Sequence, residues 1–211
     1  ASRRLRCHNR FSMNLETHDQ MPPASSSMES VSTRPATLDD LETMLELSAR
    51  KRRQYERHQP EFWAEAANAK DAQRAFFHML LTTNEPNAIV RIAEENDRIK
   101  AFAIGMIAQS PPVYRPQSIC FVDDFPLAPD ASWEVHGRAV LEAVEAEAKL
   151  RGAHLTNVVC SRQDVEKRRF LEARNLSVAG EWWVGPLLVG PDSHGGARSS
   201  AGSGDDSDPT R

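Results

Sequence analysis

SICFVDDFPLAPDASWEVHGRAVLEAVEAEA, residues 118–148, passes from an apolar strand pattern through a proline-containing loop into a long amphipathic helix. Residues 118–127 have the composition of a strand. Over residues 132–150, Trp133, Val140, Leu141, Val144 and Ala148 recur at the core spacing of a helix, and Arg151-Gly152 supplies a glycine stop. Gly137-Arg138-Ala139 is expected as the turn between them. A helix that begins at a glycine turn presents unpaired N–H groups and partial positive charge, which suits a phosphate. One glycine turn does not define a site, so its neighbours must.

On the N-terminal side, residues 33–36 form a short extended segment. Thr37 with Asp40 approximates a capping box, and Leu41, Met44, Leu45 and Ser48 mark one face of a first helix. That helix runs into Arg50-Lys51-Arg52-Arg53. A second helical region covers residues 60–81, with Phe62, Trp63, Ala66, Phe76, Phe77 and Leu80. The turn 84–87 ends it. The period then changes. Strands at 88–94 and 99–108, joined by a tight turn at 95–98, make a hairpin. On the C-terminal side come a strand at 154–160, a helix at 164–173 and a final strand at 177–184. The order β-α-α-β-β-β-α-β-α-β predicts an α/β (α+β) fold, a mixed sheet flanked by helices.

The chain has 211 residues, 40% hydrophobic and 27% charged, as an ordinary globular domain does. No apolar run approaches the ~20 residues that span a bilayer, so no membrane association is expected. The formal net charge of -4 gives no basic field for nucleic acid. Cys7, Cys120 and Cys160 lack zinc-finger spacing, so no metal is expected, and their odd number fits reduced thiols in the cytoplasm. Residues 1–32 carry arginines without a following apolar stretch and are expected as a disordered leader. Residues 190–211, rich in Gly, Ser and Asp, are expected as a disordered tail. The folded domain is then 33–189.

Over residues 33–185 this order, with three local patterns, resembles the GNAT superfamily of N-acetyltransferases. Arg34-Pro35-Ala36-Thr37 with Asp39-Asp40 looks like the family's first strand and helix start. Residues 118–148 look like its acetyl-CoA motif, a strand followed by an Arg/Gln-x-x-Gly-x-Gly/Ala turn. Residues 160–176 look like the strand–helix–strand that flanks the pantetheine arm. The resemblance implies acetyl-CoA as cosubstrate. Phe125 and Leu127 would offer backbone groups to the pantetheine amides, and His136, Gly137, Arg138 and Ala139 would hold the pyrophosphate. Arg138, Lys167 and Arg168 would add positive charge. Asp164 falls where the family often has an Asn that touches the pantetheine, though a helix N-cap suits it equally.

Two departures stand out. Glu134 occupies the usual Arg/Gln position, and Leu171 occupies the position of the Tyr that protonates the leaving thiolate in many members. For the base that takes the amine's proton, Asp123 and Asp124 are the candidates, and strand alternation should send them to opposite faces. The acceptor wall is expected from Tyr55, His58, Phe62 and Trp63. Trp182 and Trp183 should also split, one ring into the core and one outward.

These residues imply an acetyl-CoA-dependent N-acyltransferase. It would move an acetyl group to a primary amine of a small molecule or peptide, by direct attack in a ternary complex. The alternative is a non-catalytic acyl-CoA-binding or regulatory protein with the same fold. An interaction module that uses the arginines to meet an acidic partner is a third reading, which the net acidity disfavours. The oligomeric state is open between monomer and homodimer.

Overall fold

The computed structural model describes residues 30–83, 85–115 and 117–187. The expected tail at 190–211, nearly all of the expected leader at 1–32, Cys7 and Asn84 lie outside the described residues. Five strands form one sheet in the order β1-β2-β3-β4-β5. They are β1 (Ser32–Pro35), β2 (Ala88–Glu95), β3 (Arg98–Gln109), β4 (Ser118–Val122) and β5 (Leu155–Val158). Neighbours pair antiparallel except β4 and β5, which are parallel. The parallel pair needs a crossover, and α4 (Arg138–Leu150) provides it. The mixed sheet flanked by helices matches the expected fold class.

Helices cover both faces. The period-2 alternation of β3 divides its apolar residues between two cores. Phe102 and Ile104 pack with Met44, Leu45 and Leu47 of α1 (Leu41–His58) and Phe77 and Leu80 of α3 (Ala69–Thr82). Ala101 and Ala103 face Val140, Leu141 and Val144 of α4 and Phe170 of α5 (Val165–Ala173). Phe77 and Phe102 meet edge to face at 5.8 Å, and burial of each such ring is worth ~1.5–3 kcal/mol. Asn96 and Asp97 both have positive φ, which turns the β2–β3 hairpin tightly. Gly152, at φ 85, ends α4 as expected.

At the domain's start, Asp40 accepts hydrogen bonds from the Thr37 main-chain N–H (2.7 Å) and hydroxyl (3.0 Å). Arg34 grips the same carboxylate through two nitrogens at 2.8 Å each. Val31 already packs on the core, and β1 starts at Ser32, slightly before the expected boundary at 33.

Five expectations are corrected. The helix expected over 60–81 is two pieces, α2 (Pro60–Trp63) and α3, separated at residues 64–68. The strand expected over 118–127 ends at Val122, although an isolated bridge joins Leu127 to Ala101. The strand expected over 177–184 is absent, and this stretch has no regular structure. Its two tryptophans do not split between core and surface: Trp182 is 76% and Trp183 83% exposed. Finally, Gly137-Arg138-Ala139 is not a turn. A π-helical segment, Trp133–Gly137, runs directly into α4, and Gly137 has helical φ and ψ of -61 and -44.

Candidate functional site

Ser48, Lys51 and Tyr55 stand at i, i+3 and i+7 on one face of α1. That face meets the chain just beyond β4. Lys51 Nζ donates to the Asp123 main-chain oxygen at 2.6 Å and lies 3.4 Å from Asp124 Oδ1. Asp124 Oδ2 accepts from the Ser48 hydroxyl, and from Gln73 Nε2 at 3.0 Å. The Asp123 carboxylate has no hydrogen bond among the described residues and is exposed. Both acids border the same cavity, with Asp123 exposed and Asp124 half-buried.

Beyond them the chain runs along β3 with every second residue turned inward. Ile104 N–H donates to Asp124 O (2.9 Å) and Ala128 N–H to Lys100 O (2.7 Å). Residues 124 and 128 therefore face β3, and by alternation the backbone groups of Phe125 and Leu127 face away from it. The space they face is a cavity of about 500 Å³. It is bordered by Phe125, Leu127, Trp133 and Tyr55, with Arg50, Lys51 and Arg169 as its basic residues and Glu134, Asp164 and Glu166 as its acidic ones.

The helix start at the far end differs from expectation. His136 and Gly137 N–H both donate to Ser132 O, at 3.0 and 3.2 Å. Arg138 N–H is likewise taken, by Trp133 O and Val135 O. The Ser132 side chain accepts from Val135 N–H at 3.2 Å, so Ser132 is the N-cap. Ser132 N–H in turn donates to His136 Nδ1 at 3.1 Å. Among the described residues, the N–H groups at this helix start without a helical partner belong to Trp133 and Glu134, before the expected turn. Gly137 serves packing instead: a Cβ there would lie 2.8 Å from Trp133 Cε3. The Trp133 ring stacks on Phe170 at 5.5 Å and meets Phe125 edge-on at 5.0 Å.

The expected cations also move. Arg138 pairs with Glu134 (3.3 Å) and Glu142 (3.9 Å) on its own helix. Arg168 pairs with Glu172 at 3.4 Å, half in solvent. Lys167 is fully buried and cannot meet a phosphate from there; its Nζ donates to Val159 O at 2.9 Å and lies 3.5 Å from Phe125 O. Ala139 lies within α4. The sequence pointed instead away from Arg50 and Arg169, which border the cavity. Helical phase on α1 and α5 was the available signal.

Asp164 caps α5, accepting from Lys167 N–H at 3.3 Å, and its other oxygen accepts from the Tyr55 hydroxyl at 3.4 Å. Tyr55 also accepts from Ser161 N–H at 3.3 Å. Burial, with Cys160 and Asp164 nearby, pushes the Tyr55 hydroxyl well above its usual range. Burial likewise pushes the Cys120 and Cys160 thiols up to about 11, so both stay protonated near neutrality.

A second cavity, of about 280 Å³, borders Tyr55, Phe62, Trp63, Gln73, Asp123 and Asp124. Lys51 and Tyr55 border both cavities. Of the four residues expected in the acceptor wall, Tyr55, Phe62 and Trp63 border this space. His58 sits behind, stacked on Tyr55 at 5.6 Å and bonded through Nδ1 to Ser161 Oγ at 2.8 Å.

No helix among the described residues is long and apolar enough to cross a membrane. No family model and no curated protein matches the chain. Solved structures do. A mutant of the BH1408 protein from Bacillus halodurans is 16% identical, with TM-score 0.65, over 74% of this chain and 99% of that one. A predicted acetyltransferase with acetyl-CoA from Clostridium acetobutylicum is 21% identical, with TM-score 0.57, over 75% and 97%. Glucosamine-6-phosphate N-acetyltransferase from Arabidopsis thaliana is 15% identical, with TM-score 0.55, over 75% and 99%. At these identities the likeness is one of fold, and the fold of this chain is that of the GNAT acetyltransferases.

Proposed function

We propose that the chain is an acetyl-CoA-dependent N-acyltransferase. The observation that carries this reading is the meeting of two cavities at Lys51 and Tyr55, with Phe125 bordering the larger and Asp123 and Asp124 the smaller, where the chain leaves β4. The larger suits CoA on three counts: outward backbone groups at Phe125 and Leu127, unpaired N–H groups at Trp133 and Glu134, and the cations Arg50 and Arg169. CoA would supply the activated acetyl thioester. The smaller suits an amine.

In the smaller cavity Arg52 is paired with Glu65 (3.3 Å) and Lys51 with Asp124 (3.4 Å), which leaves Asp123 as the carboxylate without a cation. Asp123 therefore attracts a protonated primary amine and takes its proton, directly or through one water. Asp124, held by Ser48, Gln73 and Lys51, fixes α1 and α3 against the end of β4. The Phe125 N–H, facing the larger cavity, stabilises the oxyanion of direct attack. Tyr55, Phe62 and Trp63 enclose the apolar part of the acceptor, a small molecule or peptide. Thiol release from acetyl-CoA over a panel of primary amines tests this; no amine raising release above hydrolysis contradicts it.

One observation favours the non-catalytic reading: Leu171, at the place of the usual acid, is packed in the core at 8% exposure. Tight CoA binding without turnover of any amine is its signature.

A further inference from the structure

Lys167 stands one helical turn before Leu171 on α5 and is fully buried. Its ammonium bridges two carbonyls at the place where β4 and β5 part. Val159 N–H still donates to Val122 O at 2.9 Å, and one step further Lys167 Nζ spans the gap, 2.9 Å from Val159 O and 3.5 Å from Phe125 O. The same nitrogen lies 5.0 Å from the Phe125 ring centre and 5.6 Å from that of Trp133, both rings bordering the larger cavity. A buried cation with two neutral acceptors and two ring faces is costly to keep for stability alone.

Lys167 borders neither cavity itself, but its ammonium reaches the Phe125 carbonyl and the Phe125 and Trp133 rings, residues that border the larger one, and this gives it a role. With phosphates at the Trp133 and Glu134 N–H groups and an amide chain along Leu127 and Phe125, the thioester end falls at Phe125, next in the chain to Asp124, which borders the smaller cavity. Phe125 is the residue whose carbonyl Lys167 engages. We propose that the Lys167 ammonium is the general acid of the transfer, placed to protonate the departing CoA sulfur. The proposal deepens the acyltransferase reading and rests on it. The acceptor nitrogen bonds to the thioester carbon as the carbon–sulfur bond breaks. Lys167 gives one proton to the sulfur, and Asp123 holds the proton lost by the amine. Proton exchange with water restores both groups.

The groups facing Lys167 are Lys51 from α1, Asp124 beyond β4, Cys160 after β5 and Asp164 at the start of α5. Burial, then repulsion from Lys51, pulls the ammonium down to about 8, so it is still charged at neutral pH and gives up its proton readily.

The test uses the whole chain and CoA carrying 13C at the carbon bonded to sulfur. Calorimetry first establishes binding, and the 13C shift is then followed against pH. A cation beside the sulfur favours its thiolate, so bound CoA should titrate ~1–3 pH units below free CoA. Lys167→Gln should return that titration to the free value and lower kcat ~10²-fold with CoA affinity unchanged. Bound CoA that titrates like free CoA overturns the acid and leaves the acyltransferase reading standing. Absence of CoA binding overturns both. The wild-type titration decides the matter even if Lys167→Gln does not fold.

Discussion

The Lys51 ammonium lies 3.4 Å from Asp124 Oδ1, in the wall shared by the two cavities. This pair separates the roles of two adjacent acids. Asp124 is bound on three sides, whereas Asp123 is exposed and borders the smaller cavity. Asp123→Asn is expected to lower kcat/KM ~10²–10⁴-fold with unchanged stability. Asp124→Asn should cost ~1–3 kcal/mol in urea unfolding, because it leaves Lys51 without its anion. Equal kinetic effects with no stability difference would contradict this division.

Gly137→Ala is expected to destabilise the chain by ~1–3 kcal/mol. The added methyl meets Trp133 Cε3 at 2.8 Å and must push a ring that stacks on Phe170. The same displacement moves the helix start, so CoA affinity should fall with the melting temperature. A variant with weaker CoA binding and unchanged melting would instead favour a direct phosphate contact at Gly137.

Arg50 and Arg169 border the larger cavity and Arg168 does not. Removal of either of the first two should raise the CoA Kd ~10-fold, the worth of one hydrogen bond to a charged group. Arg168→Ala should leave the Kd unchanged, since its partner is the exposed Glu172. Calorimetry on the three variants distinguishes them.

Asp40 supplies an acid-dependent part of the stability. Burial pushes its carboxyl up, but hydrogen bonds from Arg34 and Thr37 outweigh this and hold it below its usual value. A depressed carboxylate stabilises the fold above its unfolded pKa of about 3.9. That contribution is lost as pH falls through the lower folded value. In urea midpoints measured from pH 6 to 2, Asp40→Asn should flatten the loss at the acid end and lower the midpoint at neutral pH.

The fold was legible where period and burial agree. The β2–β3 hairpin follows from alternation around Asn96 and Asp97, and α1 and α4 from their apolar stripes. The strand expected at 177–184 failed because an alternating pattern also describes a segment with no partner strand, and Trp182 and Trp183 stay outside. The helix start near residue 132 was legible, but the phosphate-facing turn was placed at Gly137 because glycine drew attention that belonged to the Ser132 cap; the Gly137–Trp133 contact explains the glycine. Asp123 and Asp124 were legible as a pair with separate surroundings, but which of the two is held was not. It depends on Ser48, Lys51 and Gln73, which come from two other helices. Lys167 was expected among the cations for the pyrophosphate, and its burial was not legible, because a nine-residue helix gives little phase information about which charged side chain turns inward.

The central claim is that the cavity beside Phe125 and Leu127 holds CoA, and calorimetric titration of the whole chain with acetyl-CoA tests it most directly. The account predicts saturable binding at one site with a Kd below ~1 mM. A folded chain that gives no binding heat up to that concentration would contradict it.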